Sequence, residues 1–327
     1  MAERPKALVL APLRGEGREL LESLCDIVYE PWIDQQPIKM YSDDDLAKRL
    51  DELDATVLVC ESDQVGPAVF EQPLKVVGCT RGDPNNIDVA AATAKGVPVL
   101  RAPGRNGDGV AEICVGLLLA CTRWICAADR DVRAGEMYKG GSIPYQRFRA
   151  WQIAGQTAGL VGFGAVARAL KWRLEGLGMR VIAHDPYVGD EAPYSLEDLL
   201  AEADVISMHA PVTDETRKMI GEKQFAAMKP GAVYVNAARA ALHDTDALVA
   251  ALQSGHLAAA GLDHFEGEWM DGSHPLAAMD NVVLTPHIGG ATYDTETNHS
   301  RMIATGIAAV LAGERPDNCV NSEVFDR

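Results

Sequence analysis

Residues 159–170 read GLVGFGAVARAL, and this stretch decides how the second half of the chain folds. An apolar run ends at Val161, small residues follow at the spacing G-x-G-x-x-A, and a helical pattern opens directly behind them. Gly162 permits a tight strand-to-helix turn, and Gly164 leaves the backbone open to the approach of a pyrophosphate. Ala167 lets the helix pack closely on the strand. The helix N-terminus adds free N–H donors and positive potential. Phe163, Ala165 and Val166 complete the turn that would face the phosphates. Such a turn also arises for packing alone, so its context matters. The next strand, VIAHDPY, carries Asp185 18 residues after Ala167, where an acid can hold a ribose. Asp-Pro also favours a plain turn. No arginine follows Asp185 to neutralise a 2′-phosphate, so the expected cofactor is NAD rather than NADP.

On either side of this turn, short β-branched runs alternate with helical patterns from end to end, the signature of parallel βαβ units. A first set of strands is expected at 6–12, 26–31, 55–62, 74–80 and 97–103, followed by a long helix over 108–135 and a loop over 136–155. A second set is expected at 157–164, 179–185, 204–211, 231–239, 257–265 and 281–288, which makes a complete dinucleotide-binding sheet. A final helix over 294–312, closed by Gly313, leads to a polar tail. Its packing partner is not readable from the sequence.

The 327 residues are long for one core and suit two domains. Acidic residues number 47 against 30 basic, a formal net charge of -17. That balance argues against nucleic acid and against anionic membrane surfaces as partners, but not against a small anionic substrate held by a local arginine. The N-terminus has no apolar stretch of signal-peptide length, and the longest apolar run, ICVGLLLAC at 113–121, is too short to span a bilayer. Seven scattered cysteines show no metal-ligand spacing; no metal is expected, and a reducing, cytoplasmic compartment fits best.

Ligands of open parallel sheets bind outside the carboxyl ends of the strands. Those ends carry Gly162–Ala167, Asp185, His209–Pro211, Arg239, Asp263 and His287, so one edge of the second sheet collects nearly all the chemistry. The acidic stretch GLDHFEGE therefore reads as part of a working rim rather than an ordinary surface turn. Singly, each of these residues also has a plain structural reading as a cap, a surface charge or a turn.

In this order and spacing, GFGAVA, HD, SMHAPVTDET, VNAAR, GLDHFEGE and TPHIGGAT resemble the D-isomer-specific 2-hydroxyacid dehydrogenase family, as does LKVVGCTRGDPNNIDVAAA in the first half. The likeness covers nearly the whole chain. It implies an α/β protein of two doubly wound parallel-sheet domains. A flavodoxin-like substrate domain would span 1–103 and 292–327, and an inserted Rossmann NAD-binding domain 104–291. It implies interconversion of a small (R)-2-hydroxy acid and its 2-keto acid by hydride transfer, with Arg239, Glu268 and His287 as catalytic residues. His287 would act as acid and base, Glu268 would orient it and favour the imidazolium, and Arg239 would hold the substrate carboxylate and polarise its carbonyl. Asp263 resembles the acid that holds the nicotinamide carboxamide; His209, Pro211, Ala237 and Gly290 would complete the cofactor contacts. The backbone at Arg81 and Gly82 would meet the substrate carboxylate.

Three departures from the family pattern stand out. Ala240 replaces a usual glycine after Arg239, His264 replaces a usual apolar residue and is expected to be a satisfied core histidine or one that supports the site from behind rather than a catalyst, and EGEWMDGSHP is longer than the common turn. Trp269 or Met270 in that insert would line the substrate pocket or simply pack the loop. Arg105 and Asn106 are expected near a hinge. The apolar helix at 110–128 would form a homodimer interface between cofactor domains, or else a monomer core helix. Glyoxylate or hydroxypyruvate reduction and a phosphoglycerate-dehydrogenase-like activity are all compatible with the pattern; feedback through a C-terminal regulatory domain is not expected. An NAD-sensing corepressor-like protein and a phosphite-type dehydrogenase remain as alternatives.

Overall fold

The computed structural model describes residues 4–326. The chain forms two compact units, Met1–Arg105 with Thr292–Arg327, and Asn106–Ala291.

In the first unit, strands β1 (Lys6–Val9), β2 (Asp26–Tyr29), β3 (Val57–Cys60), β4 (Val76–Cys79) and β5 (Val99–Leu100) form one sheet. It is entirely parallel, in the order β2-β1-β3-β4-β5. This is the flavodoxin-like arrangement expected from the resemblance. β3 and β4 are buried at every residue, because helices cover both faces of a parallel sheet and leave no polar face to alternate. Helices α1 (Gly15–Leu24), α2 (Asp43–Leu53) and α3 (Val89–Lys95) connect the strands. Ser42 and Asp88 start the last two by accepting N–H groups from the first turn.

The C-terminal helix α11 (Tyr293–Leu311) belongs to this unit. Its backbone meets that of α1 so closely that a Cβ on Gly17 would lie 2.2 Å from the Ser300 carbonyl carbon. Ile303, Ala304 and Ile307 of α11 share a buried cluster with Val9, Val57, Val59 and Leu100. The tail beyond it is polar, as expected, yet ordered against β5. The N–H of Val320 donates to Val99 O, that of Arg101 to Asn318 O, and that of Val99 to Asn321 Oδ1, at 2.9, 3.0 and 2.8 Å. The tail thus covers an edge that would otherwise expose unpaired backbone groups.

In the second unit, strands β6 (Thr157–Val161), β7 (Arg180–His184), β8 (Val205–Met208), β9 (Ala232–Asn236), β10 (Leu257–Leu262) and β11 (Val282–Leu284) form a parallel sheet. Its order is β11-β10-β9-β8-β6-β7. The chain reverses direction across the sheet between β6 and β8, which opens a crevice at their carboxyl ends. Helices α4 (Gly107–Thr122), α5 (Ile125–Arg133), α6 (Pro144–Arg147), α7 (Ala165–Gly176), α8 (Leu196–Glu202), α9 (Glu222–Ala227) and α10 (Thr245–Gln253) complete it.

The single long helix expected over 108–135 is two helices, bent by 64° where Trp124 adopts a left-handed φ of 58°. α4 packs against α7, β9 and β10, so its apolar character is first that of a core helix. Among the described residues, no single helix is long and apolar enough to cross a membrane. All seven cysteines are free, and Cys25, Cys60, Cys79, Cys114 and Cys121 are buried; burial pushes the Cys114 thiol up to about 12, which makes it unreactive.

One buried histidine links this core to pH. His243 lies among Tyr234 and Asn236, and its Nδ1 is 3.0 Å from Asn236 Nδ2. Burial lowers its pKa from 6.5 to about 4. The neutral ring is favoured only in the folded state, so the unfolded chain binds the extra proton between those two values. Stability is therefore full above about pH 6.5 and declines as pH falls towards 4. Urea midpoints should drop between pH 7.5 and pH 5 by the equivalent of about 1–3 kcal/mol, with a smaller slope in His243→Asn; equal slopes in the two proteins would refute this assignment.

Candidate active site

The turn after β6 takes the shape its glycines permit. Gly162 sits at φ +89°, and a Cβ there would come within 2.5–2.8 Å of the His209 and Ala210 backbone. No other residue fits both demands. Gly164 caps α7 with ordinary φ, and a Cβ on it would meet nothing within 4 Å. The space in front of the helix N-terminus is thus open, and the exposed backbone of Gly164 and Ala165 borders it. Ala167 is buried against the sheet, Val166 is partly buried, and Phe163 is packed inside. Asp185 Oδ2 accepts the Phe163 N–H at 2.8 Å and Oδ1 accepts the Tyr187 N–H at 3.0 Å. This carboxylate stands beside the glycine turn at the switch between β6 and its neighbours. The cradle, the 12-residue helix behind it and the rim acid fit a dinucleotide.

Across the crevice, His209 pairs with Ser207 Oγ at 2.9 Å. Desolvation lowers its pKa to about 4, so it is a neutral wall residue at physiological pH. Pro211 is exposed beyond it, Ala237 is buried at the end of β9, and Gly290 lies beside the Asn106 side chain.

The geometry of the rim turns on Asp263. Its side chain has no solvent exposure and faces the turn that follows β11. Oδ1 accepts the Thr285 hydroxyl at 2.6 Å and the Ile288 N–H at 2.9 Å; Oδ2 accepts the Gly289 N–H at 2.8 Å. Asp263, expected at the cofactor carboxamide, thus also builds the turn after β11. The turn it holds carries His287 at a left-handed φ of 54°, and Glu268 has the same φ. Each such residue stores about 1–2 kcal/mol, tolerated only where the surroundings impose it.

Glu268 and His287, 19 residues apart in sequence, meet through Nδ1 and Oε2 at 3.0 Å. A carboxylate only accepts, so Nδ1 carries the proton and Nε2 is left available for proton transfer. His264 is only 3% exposed and reaches the other oxygen of Glu268 at 3.3 Å. Its ring lies 3.8 Å from that of His287, tilted by 53°. Burial lowers the pKa of His264, with the nearby charges of His287 and Arg239 adding to it. His264 is thus a buried histidine whose partner is the expected catalytic glutamate.

Arg239 is exposed at the end of β9, and its side chain bonds the Ala238 carbonyl at 2.6 Å. The backbone behind it is held by Asn236, whose Oδ1 accepts the Ala238 N–H at 3.0 Å and whose Nδ2 donates to Arg239 O at 2.9 Å. Sequence reasoning misses Asn236 and Thr285; a polar residue closing the apolar run VYVN is the available signal for the first. Ala240 begins a short turn with no positive φ, so glycine is not required there.

Phe265, Trp269, Met270, Leu284 and Pro286 line a cavity of about 480 Å³ that Glu268 and His287 also border. In the first unit, Arg81 and Gly82 lie half-buried after β4, where Arg81 O accepts the Ala102 N–H at 2.8 Å. Arg105 bonds Glu61 at 2.5 Å and His299 Nδ1 at 2.8 Å, which gives it a structural part within that unit. Asp263→Ala should leave two backbone N–H groups and a hydroxyl without their acceptor and lower stability by about 3 kcal/mol, measured by urea unfolding at pH 7.5. A loss under about 1 kcal/mol would show that the turn holds without it.

Comparison with known proteins agrees with this architecture. Residues 115–289 match the sequence profile described as D-isomer specific 2-hydroxyacid dehydrogenase, NAD binding domain. The chain is 36% identical over 333 residues to the glyoxylate reductase of Thermococcus litoralis, covering 98% of each. It is 37% identical to that of Aeropyrum pernix, covering 98% of this chain and 97% of the relative. The crystal structure of the TT0316 protein from Thermus thermophilus superposes with a TM-score of 0.81 at 34% identity, over 96% of this chain and 99% of that one. With its glycine cradle and rim acid carried by the matched domain, this chain belongs to the D-isomer-specific 2-hydroxyacid dehydrogenase family, and its cofactor is NAD.

Proposed function

We propose that the protein interconverts a small (R)-2-hydroxy acid and its 2-keto acid, with NAD in preference to NADP. The observation that carries this reading is the Glu268–His287 pair on the rim that also bears the cofactor cradle. NAD supplies hydride transfer when bound. His287 donates a proton from Nε2 to the developing alkoxide in reduction and accepts it back in oxidation. The Glu268 carboxylate on Nδ1 fixes the plane and tautomer of the ring, and the proton transfer it serves is typically worth about 10²–10⁴ in rate. Arg239 offers a planar fork to the substrate carboxylate, with its backbone anchored by Asn236. Asp185 would hold the ribose hydroxyls, and a 2′-phosphate would meet its charge. The apolar wall of Trp269, Met270 and Phe265 beside His287 suits a substrate with an uncharged substituent.

NADH oxidation followed at 340 nm against glyoxylate, pyruvate, hydroxypyruvate, phosphohydroxypyruvate and phenylpyruvate tests this reading. Turnover should favour NADH over NADPH, and His287→Ala and Arg239→Ala should each lower kcat/KM by at least about 10². Tight NADH binding without turnover of any acid would instead support a nucleotide-sensing protein.

We further propose a cytoplasmic homodimer joined through the cofactor unit. The segment after α4 exposes Ile125, Val132, Tyr138, Tyr145 and Trp151, the last at 86%, more apolar surface than a monomer usually leaves in one stretch. Light scattering should give about twice the 35.1 kDa chain mass; a monomer mass would refute this.

A further inference from the structure

Outside the chemistry already assigned, the most informative feature is the second histidine at the rim. Glu268 stands on an exposed turn, half-exposed and in a left-handed conformation. Its side chain has two hydrogen-bond partners among the described residues, His287 on one oxygen and His264 on the other. His264 comes directly after Asp263 and is itself buried, so its ring has a fixed place from which to hold the carboxylate. One ring nitrogen from each histidine and a carboxylate oxygen of Glu268 all lie within 4.8 Å of one another. The titratable or charged groups facing this cluster are His287 from the turn after β11, Arg239 from the loop after β9, and Glu268 itself.

We infer that His264 is a positioning residue for the proton-transfer pair: its Nδ1–H pins one oxygen of Glu268 so that the other stays on His287. This rests on the reading of His287 as acid and base. A lone exposed glutamate tied only to His287 would rotate among several rotamers and lose part of that pairing to water. The buried ring of His264, held neutral by its surroundings, supplies an N–H donor without adding charge beside the imidazolium. An apolar residue at this position packs but cannot donate. The longer EGEWMDGSHP insert then has its glutamate fixed from inside the unit rather than by the turn itself.

The test uses His264→Val and His264→Asn in the full-length enzyme. Asn keeps an N–H close to the place of Nδ1, whereas Val removes it. For the best keto acid, His264→Val should lower kcat about tenfold with little change in KM. The split between kcat and KM is the signature, because a general loss of structure would move both. His264→Asn should restore kcat. A Val variant with wild-type kcat would overturn the proposal, as would equal losses in Val and Asn. Nitrogen-15 imidazole spectra of the wild type give a readout independent of turnover and of variant folding. His264 must appear as the neutral Nδ1–H tautomer; the Nε2–H tautomer would overturn the positioning role. Absence of turnover with every acid would defeat the dehydrogenase reading, and the tautomer would still decide this one.

Discussion

Asp263 puts a carboxylate with no solvent exposure against two backbone N–H groups and a hydroxyl, and the layout of the rim follows from that contact. A buried charge is costly unless it is well bonded, and three donors from a single turn meet that requirement. In return, the turn after β11 cannot relax, so it can hold His287 at a φ that most residues avoid. Glu268 approaches from the other side of the same residue: Asp263 and His264 are adjacent, one facing the His287 turn and the other the Glu268 carboxylate. Two consecutive side chains thus contact both halves of the Glu268–His287 pair.

The same economy appears at β9. Asn236, buried at the strand end, ties down the loop that presents Arg239 and also contacts His243 in the core. Arg239, Glu268 and His287 are exposed, while the groups that contact or anchor them are buried and neutral or fully bonded. Precision at the rim therefore comes from the unit's interior, as expected for a site built at the ends of rigid strands.

Much of this is legible in the linear pattern. The eleven strands among the described residues fall within the expected runs, because a parallel sheet covered on both faces writes itself as short continuous apolar segments. The glycine turn is equally readable, since Gly162 occupies a position with no room for a Cβ. The break between α4 and α5 is not: no glycine or proline marks it, and Trp124, with no preference for it, takes the left-handed conformation there. Nor can the sequence reveal the three bonds of Asp263, whose partners are 22 to 26 residues away. Local pattern carries local preference, and these features are long-range contacts imposed on residues with no preference for them.

The alternation of strands and helices, the cradle at 162–167 and the rim on which the polar residues fall are all written in the order of the residues, because periodicity and glycine geometry are local properties. Packing alone settles that α11 and the tail join the first unit, by burying Ile303 and Ile307 under its sheet and pairing with β5. Packing also brings His264 to Glu268 and aims Asp263 inward. Those outcomes depend on which apolar faces bury each other and on which donors a buried carboxylate can reach, and neither is fixed until the chain has closed on itself.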